Sequence, residues 1–185
     1  MFNKSARMLP ATLAISAVGL ALWAGQPSAK ADGVSGKTQS ATGCSCHGST
    51  RNTSVVVTIS GPNAVAPGST NPYTLTVTGG VAGTTGGFNL AASSGALAAG
   101  TGSRLLNNEL VHANNTRRSW TFNWTAPATP AFVNMYAVGL TSNGSGSSGD
   151  GWNFSGGALG AAFVIDVNPT PALPTTWGMV KDVYR

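Results

Sequence analysis

Ser119-Trp120-Thr121-Phe122-Asn123-Trp124-Thr125 places a large aromatic side chain at every second position, with Thr and Asn between them. Successive side chains of a strand point to opposite faces, so the pattern predicts a strand with one dry face and one wet face. A stacking platform for bases or sugars is the other use of such rings. The regular Thr and Asn spacing is what a half-buried strand requires, and it favours a sandwich core. Working outward, Tyr73-Thr74-Leu75-Thr76-Val77-Thr78 alternates in the same way. Ser54-Val55-Val56-Val57-Thr58-Ile59-Ser60 is β-branched almost throughout and is stopped by Gly61-Pro62-Asn63.

Further strands are predicted over 87–91, 109–113, 131–140 and 158–167. About seven strands separated by turn residues predict an all-β fold, an antiparallel Ig-like β-sandwich spanning 54–168. Composition agrees, because 25 glycines and only 8% charged residues suit short strands joined by tight turns. The stretch 141–151 reads as a Gly/Ser loop carrying one acid, Asp150. Beyond the sandwich, 169–185 reads as a stiff Pro-rich linker followed by a short tail. In that tail Trp177, Val180 and Tyr184 have helical spacing behind a Thr cap.

The amino-terminal end predicts export. Lys4 and Arg7 precede an apolar stretch, 9–24, and Ala29-Lys30-Ala31 is an A-x-A processing site, making 1–31 a signal peptide and Asp32 the mature N-terminus. The stretch has 16 residues (24 − 9 + 1) and contains Pro10. A spanning helix needs roughly 20, so no transmembrane anchor is expected after processing. Of ten basic residues three leave with the leader, so the formal charge of +5 becomes +2, seven basic against five acidic. That balance gives no reason to expect nucleic acid as a partner. Arg117-Arg118, the only basic pair, reads as a solvated hairpin edge.

The segment 32–53 is polar and aperiodic, and reads as an irregular arm leading into the fold. It holds the chain's two cysteines in Gly43-Cys44-Ser45-Cys46-His47-Gly48. C-x-x-C-H is the attachment signature of c-type haem, in which two thiols bond to the vinyl groups and the histidine ligates iron. The chain has C-x-C-H, one spacer shorter, which is met by attachment through Cys46 alone or by a strained backbone. A Cys44–Cys46 disulfide would close a tiny, strained ring. Zinc or copper could use both thiolates and His47, but a closed zinc site needs a fourth ligand that no nearby residue supplies. Free thiols without a role oxidise readily outside the cytosol. The pattern therefore predicts a covalent haem c on an arm spanning 32–53. For the second axial position the candidates are His112, Met135 and Met179.

Several local patterns extend this reading. They are the Cys/His segment ahead of the first strand, the Gly87-Phe88 strand, Val111-His112-Ala113, the aromatic strand continued by Ala126-Pro127, Tyr136-Ala137-Val138-Gly139, and the loop from Asn143-Gly144-Ser145-Gly146 to Gly149-Asp150. Over 33–167 the chain thereby resembles the secreted bacterial domains called choice-of-anchor V, which are similar to the Reelin-domain β-sandwich. The resemblance implies a Reelin-like sandwich and a histidine in the strand before the Trp strand, which selects His112 as the second axial ligand.

No nucleophile–base–acid arrangement and no G-x-S-x-G elbow appears, so an enzyme is not expected. The expectation is a secreted, single-haem c-type cytochrome that passes electrons. Its attachment residues would be Cys44 and Cys46, and its iron ligands His47 and His112. The expected partners are a redox protein or neighbouring cytochrome, or copies of itself in a filament joined through the arm or the tail. Its location would be extracellular or at the cell surface, with the periplasm as the other destination. The alternative is a haem-free adhesion or matrix-binding sandwich with a structural or metal-binding Cys/His loop.

Overall fold

The computed structural model describes residues 30–168. The leader 1–29, the linker and tail 169–185 and with them Met179 lie outside the described residues. In chain order the strands are β1 (Val55–Ser60), β2 (Thr70–Gly79), β3 (Gly86–Ala92), β4 (Ala96–Ala98), β5 (Ser103–Leu106), β6 (Glu109–His112), β7 (Ser119–Thr125), β8 (Phe132–Thr141), β9 (Gly151–Phe154) and β10 (Phe163–Asp166). They form two antiparallel sheets, one ordered β1-β2-β7-β4 and the other β10-β8-β3-β6-β5, with β9 also paired to β8. The protein is an all-β sandwich, as its alternation predicts. Among the described residues no helix is long and apolar enough to cross a membrane.

The aromatic strand β7 buries Trp120, Phe122 and Trp124 and exposes the residues between them. Its register on β2 sets Phe122 opposite Tyr73 and Trp120 opposite Leu75. β1 continues the same layer, with Val57 opposite Val77 and Ile59 opposite Leu75. Tyr73 and Phe122 stack at 5.8 Å between ring centroids. Against this face lie Phe88, Leu90, Leu110, Val133, Met135, Ala137 and Ile165 of the second sheet. Cross-strand pairs of this kind, with both inner faces apolar, are the unit from which a sandwich core is built.

Three strands escape the sequence pattern. β4 and β5 have only three and four residues, too few for alternation to register. β9 lies at the end of what reads as a Gly/Ser loop, and all four of its residues are buried. Alternation is lost there because both faces of the second sheet are covered. The same holds along Gly86–Leu90 of β3 and Ala137–Thr141 of β8. What covers the outer face is the arm 32–53. It is not an extended leader into the fold but a lid packed on it. Val138, Leu140, Trp152 and Phe154 form a second apolar cluster on that outer face, and Cys44 packs against it.

The basic pair also departs from expectation. Arg118 is no solvated edge residue, for its guanidinium donates to the carbonyls of Thr85 at 2.7 Å, Val81 at 2.7 Å and Ser142 at 3.2 Å. It thereby ties together two loops at one end of the sandwich.

Candidate functional site

The arm is laced to the second sheet by hydrogen bonds from its own backbone. Gly36 N–H donates to Glu109 Oε2 at 2.6 Å, and Lys37 N–H to Asn89 Oδ1 at 2.8 Å. Further along, the Gly48 carbonyl accepts from the Trp152 indole N–H at 2.8 Å. Gly43 lies so close over the same indole that a Cβ there would come 2.2 Å from a ring carbon, and its φ is +43°. Only glycine combines that backbone with that approach. The Cys/His loop therefore wraps Trp152, a residue the sequence pattern had not marked.

Between these anchors Ser45–His47 forms a single 3₁₀ turn, with His47 N–H donating to the Cys44 carbonyl at 2.9 Å. Side chains at i and i+3 eclipse in a 3₁₀ helix. The shortened C-x-C-H spacing thus sets Cys44 and His47 on one side of the turn. Both cysteines are free thiols and half-buried. The Cys44 sulfur is enclosed by the outer cluster, and this burial pushes its thiol up to about 12.

His47 is oriented from behind. Its Nδ1 lies 2.7 Å from Oδ2 of Asp150, whose side chain has no exposed surface. The other carboxylate oxygen, Oδ1, accepts from Asn143 N–H at 2.9 Å. A carboxylate behind Nδ1 leaves Nε2 as the free ligating nitrogen, the arrangement usual for metal-bound histidines. Asp150 is thus a site residue missed in the sequence. It stands 103 residues from His47, in a loop with no periodicity to single it out.

His112, at the end of β6, is buried with its ring over Gly87. Its Nδ1 meets the backbone of Phe88 twice, 3.1 Å from the N–H and 3.3 Å from the carbonyl. Either tautomer finds a partner there. Burial is the main cause holding this imidazole below its ordinary value, with the Phe88 backbone opposing it.

Cys44, Cys46, His47 and His112 line one small cavity of about 60 Å³, together with Gly87 and Phe88. A second cavity of about 210 Å³ lies alongside and is also lined by His47 and His112. The four residues singled out by the sequence are therefore gathered in one place by the arm and β6. Met135 is not among them. It is fully buried in the sandwich core. Among the described residues no three His, Cys, Asp or Glu side chains group as a metal cage. A haem needs fewer ligands, since the porphyrin supplies the rest and the protein adds axial donors. As a donor set the site fits that group, with two imidazoles each engaged at Nδ1 and two thiols beside them. In volume the smaller cavity alone does not, having room for only about two waters.

No family model matches the chain, and no curated protein matches it. Among solved structures it is similar to a conjugative transposon lipoprotein from Bacteroides eggerthii, with 19% identity, a TM-score of 0.35, and 55% of this chain and 96% of that one covered. It is also similar to a cohesin module from a Clostridium perfringens family 33 glycoside hydrolase, with 14% identity, a TM-score of 0.34, and 56% of this chain and 96% of that one covered.

Proposed function

We propose that the chain is an exported, single-haem c-type electron carrier of the choice-of-anchor V kind, with no catalytic reaction of its own. The observation that supports this reading is that the Cys44–His47 loop and His112, which is distant from it in the sequence, line one cavity. When bound, a haem supplies a one-electron iron couple. His47, held at Nδ1 by Asp150, would offer Nε2 as one axial donor, and His112 on its strand would offer the other. Held by these two imidazoles, the group would have a lower potential than with imidazole and a thioether and would be suited to passing electrons rather than binding a substrate. For covalent attachment, Cys44 and Cys46 would hold the haem by thioether bonds to its vinyl groups. Cys46 is the better nucleophile for this, because Cys44 is packed into the outer cluster.

Electrons would pass to or from a redox protein or a neighbouring cytochrome outside the cytoplasm. The arm is engaged on its own sheet, which leaves the tail, 175–185, as the segment for joining copies in a polymer.

The test is direct. Protein purified from a host with working cytochrome c maturation is expected to be red, to keep its Soret band through acid–acetone extraction, and to have the mass of the chain from Asp32 plus one haem. His112→Ala is expected to turn a low-spin spectrum towards high spin while the covalent haem stays. A colourless protein would sink the proposal. In that event the haem-free binding sandwich stands, and one observation already favours it. The Cys/His loop clasps Trp152 through Gly43 and Gly48, as a purely structural loop would.

A further inference from the structure

The arm covers only part of the outer face of the second sheet. Along β8 that face runs from Leu140 and Val138, which are buried in the outer cluster, to Tyr136, Asn134 and Phe132. Phe132, at the far end, is 75% exposed, although a ring of that size is normally interior. β10 pairs with β8 so that Asp166 faces Phe132 and Val164 faces Asn134. Paired side chains share a face, so Val164, itself 50% exposed, lies diagonal to Phe132 and within reach of one aromatic contact. Phe132, Val164 and the half-buried Tyr136 thus make a bare apolar patch, with one acid, Asp166, beside Phe132.

We propose that this patch receives the tail, 175–185, of a second copy of the chain. This rests on the tail as the joining segment and needs no haem.

The chain leaves the described residues beside the patch itself. Val167 N–H donates to the Ala131 carbonyl at 2.9 Å, and Asn168 N–H to Asp166 Oδ1 at 2.9 Å. Pro169, Pro171 and Pro174 follow in the sequence. A Pro-rich chain extends by about 3.1 Å per residue, so 169–174 would span roughly 20 Å. A stiff spacer rooted next to Phe132 carries its tail away from its own patch and towards that of a neighbour. The tail also matches the patch in kind. The spacing of Trp177, Val180 and Tyr184 predicts one apolar stripe, and Lys181, four residues after Trp177, falls on the same side. Aromatic anchors suit an apolar patch, and the lysine suits Asp166. Donor and acceptor are different surfaces, so the contact is head-to-tail, and its repetition yields a ring or an open filament. Its area is at the small end for specific contacts, so assembly is expected at high local concentration.

The experiment follows the whole chain from Asp32 by sedimentation velocity between about 10 μM and 1 mM, the range of weak contacts. Its average mass is expected to rise with concentration. Phe132→Ser, Val164→Ser and Trp177→Ser are each expected to weaken association about tenfold or more. Phe132 and Val164 are exposed, so these variants should keep the parent's thermal unfolding, which is measured alongside. Mixing Phe132→Ser with Trp177→Ser tests the direction of the contact. One supplies an intact tail and the other an intact patch, so the mixture is expected to stop at dimers. Dimers of Trp177→Ser alone would show a patch-to-patch contact and overturn the proposal, as would a parent chain that stays monomeric. If Trp177→Ser blocks association and the two patch variants do not, the acceptor is wrong while the tail remains the joining segment. If none of the three matters, both fall. The colour of the protein bears on neither.

Discussion

His47 places Nδ1 2.7 Å from Oδ2 of Asp150, a carboxylate with no exposed surface, and so a loop near the carboxyl end of the sandwich aims a ring from its amino-terminal arm. This pairing fixes which nitrogen of His47 is free. It also joins the arm to the segment between β8 and β9, which packs beneath it.

Asp150→Ala is expected to leave His47 Nδ1 and the Asn143 N–H without their partner, and to destabilise the haem-free protein by about 1–3 kcal/mol in urea titrations. In the haem-loaded protein Asp150→Asn should raise the reduction potential. A neutral amide draws less on the Nδ1 proton, which makes the imidazole a weaker donor to ferric iron. Spectroelectrochemistry checks the direction, and an unchanged potential would argue that His47 is not a ligand.

Gly43→Ala is expected to lower stability by about 1–3 kcal/mol, because the new methyl group must displace the Trp152 ring or lift the loop from it. Thermal melts give the loss. A loss well below this would show that the loop is not clamped on Trp152 in solution.

The enclosed Cys44 thiol, pushed up to about 12, is expected to alkylate far more slowly than Cys46 at pH 8. At that pH only about one Cys44 in ten thousand is thiolate, the reactive form. Iodoacetamide labelling followed by peptide mapping would separate the two. Stability carries the matching sign. Folding keeps this thiol protonated, so its contribution is complete below the unfolded value of 9.0 and is lost as pH climbs towards about 12.

The two core tryptophans of β7 should respond unequally to phenylalanine. Trp124 Nε1 donates to the Ser94 carbonyl at 3.0 Å, whereas Trp120 Nε1 is buried with no partner. Trp124→Phe leaves a carbonyl unpaired, and Trp120→Phe removes an unsatisfied donor. The first is expected to cost about 1 kcal/mol more than the second in chemical denaturation.

Much of this molecule is local in origin. The period of two in β1, β2 and β7 needs nothing beyond the alternation of a strand. It names Tyr73, Leu75, Val77, Trp120, Phe122 and Trp124 as core without reference to any partner. The Cys/His motif is equally local, because its chemistry depends on residues adjacent in the chain. His112 is one of three candidate donors by residue type alone, and resemblance to a family pattern is what sets it before Met135 and Met179, since nothing in its own strand distinguishes a ligand from a core histidine.

What tertiary structure alone decided is the second face of the second sheet. An outer face covered by an irregular arm has no periodicity of its own, so β9, Trp152 and the docking of 32–53 leave no signature that a reading along the chain can detect. Asp150 is hidden for the same reason. Its meaning lies in a contact across 103 residues, between two loops whose glycines permit close approach but do not specify a partner. Alternation records which side of a strand is dry only while the other side stays wet. Where both sides are covered, the site is made by packing, and only the folded chain contains it.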